Sequence, residues 1–131
     1  MILLDTHTLV FLALKPERLS KAASQAIARA LSGDGIAIAS ITLWEIALLI
    51  DAGRIVVHGS TEAFLKQILQ RPRLFSLDLS PEIAALAFQF LQDFPSDPAD
   101  RIIAATARVH GLPLVTRDHR LQDSSLLQTI W

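Results

Sequence analysis

The sequence contains no cysteine. That removes disulfides, thiolate metal sites and cysteine nucleophiles together, and it fits an expected place in a reducing cytoplasm. Long hydrophobic runs are missing too. Ile46 to Ile50 is a representative apolar run, far short of the ~20 residues that span a bilayer, so no membrane partner is expected. Met1-Ile2-Leu3-Leu4-Asp5 lacks the basic region and apolar stretch of a signal peptide. Charge of one sign is scarce: 12 Lys+Arg stand against 13 Asp+Glu, a formal net charge of −1. No global basic field is available to draw in a polyanion, so such a substrate would be held by a local patch or by bound metal. No glycine-rich phosphate loop is present.

What the chain has in surplus is apolar material. Of its 131 residues, 51% are hydrophobic, and the mean hydropathy is +0.40. The length suits one domain, residues 1–131, and a chain of this size buries roughly two-thirds of the surface its unfolded form exposes. The excess predicts apolar surface covered by a partner.

Short apolar runs alternate with helical segments. Ile2-Leu3-Leu4 reads as a strand buried on both faces, with Asp5 at its end. Thr6 to Leu14 reads as a helix stopped by Pro16. Ser20 caps a helix to Leu31 that closes at Gly33. Ile36 to Ala39 is a second strand, and Ser40 or Thr42 starts a helix ending near Gly53. Ser60 or Thr61 opens another through about Leu69, before a third strand at Leu74 to Leu77. Ser80-Pro81-Glu82 is a strong helix start, and that helix is expected to run to about Phe94. Asp97-Pro98 begins the next, ending at His110-Gly111. Leu114 to Thr116 is a fourth strand, and a weak fifth is expected within Leu127 to Ile130. The alternation implies an α/β sandwich around a parallel sheet. Two helices, Leu43 to Ile50 and Ile83 to Leu91, are apolar on nearly every side. Such helices are deeply buried, or they lie under a partner or a second copy of the chain.

The thirteen carboxylates matter for where they fall. Asp5 follows the first strand, Glu45 the second and Asp118 the fourth. Asp97 and Asp100 open the helix that leads into the fourth strand. Ligands of open parallel sheets bind beyond the carboxyl ends of the strands. Carboxylates converging there repel one another unless cations occupy the cluster, and hard divalent ions prefer oxygen ligands. A metal so held can activate water and neutralise charge on a phosphate. Each acid also has a structural role open to it. Asp5 and Asp97 can cap helices, Thr42-Leu43-Trp44-Glu45 fits a capping box, and Asp118 can be a turn residue.

Taken in order, Leu3-Leu4-Asp5-Thr6-His7, Ser40 with Trp44-Glu45-Ile46, Asp97-Pro98-Ala99-Asp100-Arg101 with Ile102 to Ala107, and Gly111 to Asp118 resemble the PIN domain, and within it the VapC-type toxins of toxin–antitoxin pairs. The resemblance spans the whole chain. It implies an α/β/α sandwich with a central parallel five-stranded sheet in the order 3-2-1-4-5. It further implies a Mg²⁺ or Mn²⁺ site, endoribonuclease activity and a cognate antitoxin that covers the site. Asp5, Glu45, Asp100 and Asp118 match the four catalytic acids. Metal is expected on Asp5 and Asp100, with Glu45 and Asp118 direct or through water and Asp97 as cap or outer contributor. Thr6 and Thr116 match hydroxyl positions beside the site. The segment after Glu45, Ala47-Leu48-Leu49-Ile50, departs from the family in lacking a lysine.

Arg117, His119 and Arg120 follow the fourth strand and Arg101 adjoins Asp100, so all four are candidates for contacts to an RNA phosphate. Trp44 reads as a core residue rather than a base-stacking one. His7 and His110 lack zinc-site spacing. Among rival enzymes, a receiver domain would want paired acids at strand one and a late lysine, but the lysines are only Lys15, Lys21 and Lys66. A haloacid-dehalogenase-type phosphatase would want Asp-x-Asp where this chain has Asp5-Thr6-His7. A DNA-directed nuclease with the same metal site, and a silent PIN-like binding module, remain open.

Overall fold

The computed structural model describes residues 1–90 and 94–131. Strands β1 (Ile2–Leu4), β2 (Ile36–Ala39), β3 (Leu74–Leu77), β4 (Leu114–Val115) and β5 (Thr129–Ile130) form one sheet in the order β3-β2-β1-β4-β5. Every pairing is parallel. The central strand aligns Leu3 with Ala37 on one side and with Leu114 on the other.

Alternation along the strands builds two cores. Ile2, Leu4, Ile36 and Ile38 face a layer made by α1 (Thr6–Leu14), α2 (Lys21–Leu31), α3 (Ile41–Asp51) and α4 (Thr61–Leu69). Leu3, Ala37, Ala39 and Leu114 face α5 (Pro81–Gln89), α6 (Pro98–His110) and α7 (His119–Gln122). Buried Ala104, Ala105 and Ala107 keep α6 thin where it meets the sheet. Gly35 stands at the entry to β2 with φ 102°, where an added Cβ would come within 2.6 Å of the Arg73 carbonyl oxygen.

The helix starts are chemical. Ser20, Ser60, Ser80 and Asp97 each accept a backbone N–H with their side chains. Three expectations are corrected. The helix from Pro81 ends at Gln89 rather than near Phe94, because Phe90 turns to ψ 137°. Arg101 meets that end by donating to the Phe90 carbonyl at 3.0 Å, and Phe90 stacks on Phe94 at 4.4 Å. The expected helical residues 91–93 lie outside the described residues. The capping box at Thr42 is not formed: Ser40 is the cap residue of α3 and Thr42 is buried inside the helix. Trp44 is no core residue, being 57% exposed, because only Thr42 and Ile46 of α3 turn fully inward. Leu48 on α3 and Phe88 on α5 also stand in water. The short helix α7 went unforeseen, since four residues carry no periodicity.

Candidate metal centre

Parallel pairing sends the ends of β1, β2 and β4 to one edge of the sheet, and the helices that follow begin there. Asp5, Glu45, Asp97, Asp100 and Asp118 all line one cleft of about 530 Å³ at that edge.

Asp5 is the most constrained. It is buried, its backbone N–H still pairs with the Val115 carbonyl at 3.1 Å, and Oδ1 caps α1 by accepting from the Thr8 N–H at 2.8 Å. Oδ2 accepts from the Thr116 hydroxyl. Thr116, expected beside the site, is fully buried there and holds acids: its Oγ1 also accepts the Asp118 N–H at 3.1 Å. Thr6 does line the cleft. Its one hydroxyl proton goes to Glu45 Oε1, so the Thr42 hydroxyl, 3.1 Å away, donates to Thr6.

Glu45, Asp97 and Asp100 bring one carboxylate oxygen each to within 4.8 Å of one another. Asp97 does this while capping α6 through the Ala99 N–H at 3.0 Å. Burial pushes the Glu45 carboxyl up from its usual range; the Thr6 hydroxyl opposes this and the Asp97 charge adds to it. Asp100 is pushed up to about 7, first by burial and then by Asp97, Glu45 and Asp118. Asp118 behaves oppositely. The Arg120 guanidinium, 3.0 Å from its Oδ2, holds it below the ordinary value. The same guanidinium lies 3.6 Å from Asp100 Oδ2.

The donor set is all oxygen, which suits Mg²⁺ or Mn²⁺ better than zinc. An ion ~2.1 Å from each ligand separates opposite oxygens by about 4.2 Å, so small side-chain rotations would close the trio on one ion. Carboxylates this crowded repel one another, and a cation held among them would offset that repulsion. The residues therefore fit a divalent metal.

Of the expected arginines, Arg117 and Arg120 line the cleft. Arg101 does not. Its guanidinium turns away and donates to the Pro95, Phe90 and Ala87 carbonyls at 2.9, 3.0 and 3.4 Å. His7 and His119 complete the wall. Sequence reasoning passed over Thr42 as a partner in the cluster, although it sits one turn before Glu45 on the same face of α3.

A sequence model of the PIN domain matches residues 2–125. The chain is 41% identical over 121 residues to ribonuclease VapC22 of Mycobacterium tuberculosis, covering 92% of this chain and 89% of the relative. Among solved structures it resembles VapBC2 of Rickettsia felis bound to a promoter DNA fragment, with TM-score 0.72, 21% identity and coverage of 98% and 97%. It likewise resembles FitAcB of Neisseria gonorrhoeae, with TM-score 0.66, 24% identity and coverage of 98% and 96%. At those identities the structural likeness speaks for the fold, and the order β3-β2-β1-β4-β5 is the one the family resemblance implies. The matched sequence model and the 41% identical relative go further than the fold: the chain belongs to the PIN domain family.

Proposed function

We propose that the chain, as a single domain, is a Mg²⁺- or Mn²⁺-dependent endoribonuclease toxin of the cytoplasm, held in check by a cognate antitoxin. The carrying observation is the Glu45–Asp97–Asp100 trio, set in the same cleft as Asp5 and Asp118. The 41% identical relative is named a ribonuclease, and solved neighbours include a toxin–antitoxin complex from Klebsiella pneumoniae.

In this reading Glu45, Asp97 and Asp100 would hold the ion, with Asp5 and Asp118 beside them in the cleft, which gives Asp97 a larger part than the outer one expected of it and Asp5 a smaller one. A divalent ion held there would supply a water of lowered pKa and offset charge on the reacting phosphate. Asp5, fixed at both oxygens, keeps its carboxylate aimed into the cleft. Arg117 and Arg120 line the cleft and face the RNA backbone that enters it. A water oxygen would bond to phosphorus in line as the P–O3′ bond breaks, the water giving up a proton and the departing 3′ oxygen taking one, to leave a 5′-phosphate and a 3′-hydroxyl. Trp44, Leu48 and Phe88, left in water, supply apolar surface for the antitoxin and for a second copy of the chain. No helix among the described residues is long and apolar enough to cross a membrane.

The test is cleavage of total RNA, and of single-stranded DNA as control, with and without EDTA, the cuts mapped by sequencing. Discrete RNA cuts that EDTA abolishes and Mg²⁺ or Mn²⁺ restores are expected. RNA left whole at every metal concentration, or cutting indifferent to EDTA, would overturn the proposal.

A further inference from the structure

A second feature adjoins the acid cleft on its α1 side. Phe11 is buried on α1, yet two arginines from distant parts of the chain converge on its ring. The Arg18 guanidinium lies 4.9 Å from the ring centroid and that of Arg117 lies 5.2 Å from it. Arg18 comes from the short turn Pro16–Arg18 after α1, and Arg117 from the loop between β4 and α7. Sharing one ring, the two cations are about 10 Å apart at most.

Both side chains are exposed, and among the described residues neither forms an ion pair, Glu17 beside Arg18 included. Arg120 is the contrast, for it is spent on Asp118 and Asp100. The aromatic ring orients each guanidinium plane and leaves its fork of N–H donors free. Two exposed cations gathered on one ring raise the local positive potential and favour an anion beside them. Arg117 lines the acid cleft itself. His7 also lines it, and its ring lies 6.4 Å from that of Phe11. Arg117 thus joins the Phe11 pair to the acid cleft.

We propose that Arg18 and Arg117, set on Phe11, form a seat for the phosphates of single-stranded RNA next to the one being cut. This rests on the nuclease reading above. A nuclease built on carboxylates with a net charge of −1 repels its own substrate. Metal answers that at the scissile phosphate, and the arginine seat answers it at the neighbours. The guanidinium fork suits phosphate oxygens, and the seat reads backbone rather than base, so it adds affinity without sequence preference.

The test measures binding apart from cutting. A fluorescent single-stranded RNA oligonucleotide is titrated in EDTA, over a range of salt, against wild type, Arg18→Gln, Arg18→Lys and Arg117→Gln. Cleavage is then measured with Mg²⁺. Each Gln variant is expected to bind about three- to tenfold more weakly at low salt. The slope of log affinity against log salt should shrink by about 0.7 per arginine lost. For Arg18→Gln, KM rises while kcat holds, and Arg18→Lys recovers most of the binding. Unchanged binding and slope would overturn the seat, as would a fall in kcat with binding intact. Loss of affinity for an acidic peptide but not for RNA would assign the arginines to a protein partner and overturn it too. If wild type binds RNA with the expected salt slope but never cuts it, the seat stands and the nuclease reading falls.

Discussion

The two halves of the carboxylate cleft are unlike. On one side Asp5 and Asp118 are already partnered: Asp5 by the Thr8 N–H and the Thr116 hydroxyl, Asp118 by the Arg120 guanidinium. On the other, Glu45, Asp97 and Asp100 crowd together, and Glu45 and Asp100 hold their protons above the usual range. Acids of one chemical type have been made different by their neighbours. The partnered side is built to keep its shape with or without metal. The crowded side is where a cation is wanted.

The largest effect that would sharpen this contrast is on the crowded side. Asp100→Asn is expected to cut RNA cleavage on the order of 10²–10³-fold, the loss seen when one group serving developing charge is removed. It should at the same time stabilise the metal-free protein and erase the stabilisation Mg²⁺ gives, both read by thermal melting. Asp5→Asn is expected to lose cleavage on a similar scale while keeping its fold. Asparagine still offers an oxygen to the Thr8 N–H, so the cap should weaken by about 1 kcal/mol or less. Its amide cannot accept from the Thr116 hydroxyl, which costs that one further hydrogen bond, about 1 kcal/mol more. A melting point far below wild type would show that Asp5 is chiefly structural.

The pH dependence comes next in size. The Asp100 carboxyl sits at about 7 in the folded chain against an ordinary 3.8. A raised folded pKa means the native state binds the proton more tightly than the unfolded one. The resulting stability is complete below pH ~4 and is lost as pH rises through about 7. With the Asp100 side chain 20% exposed and the cleft open to water, screening reduces this to on the order of 1–2 kcal/mol. Metal-free protein should therefore melt higher at pH 5 than at pH 8, and the difference should shrink in Asp100→Asn to the part that the raised Glu45 carboxyl keeps. The smallest effect belongs to Arg120. It competes with a cation for Asp100 and Asp118, so Arg120→Gln should tighten Mn²⁺ binding about two- to fivefold by calorimetry. Weaker binding would make Arg120 a support of the site rather than a stand-in for its cation.

Much of this was legible in the sequence because the signals are local. Ser20, Ser60, Ser80 and Asp97 announce their helices, and apolar triplets and quartets announce buried strands. The acids could be placed at one sheet edge because strand ends and helix starts fix where they lie. What was not legible depends on tertiary contacts. An all-apolar helix does not say which side faces the sheet, so Trp44 was misplaced in the core. The end of α5 depends on Arg101, which comes from another helix. Asp97 was open to either role, cap or outer contributor to the cluster, and only the fold shows that its carboxylate caps α6 through the Ala99 N–H while lying within reach of Glu45 and Asp100. Arg18 and Arg117 are about a hundred residues apart, and only the fold shows that they share Phe11.

Mn²⁺ titration by calorimetry at pH 8 compares the two halves most directly, with wild type, Asp100→Asn and Asp118→Asn side by side. The contrast predicts that wild type binds, that Asp100→Asn loses affinity by at least about tenfold, and that Asp118→Asn, whose charge is already offset by Arg120, loses less. Equal losses from the two variants, or no binding by wild type, would contradict it.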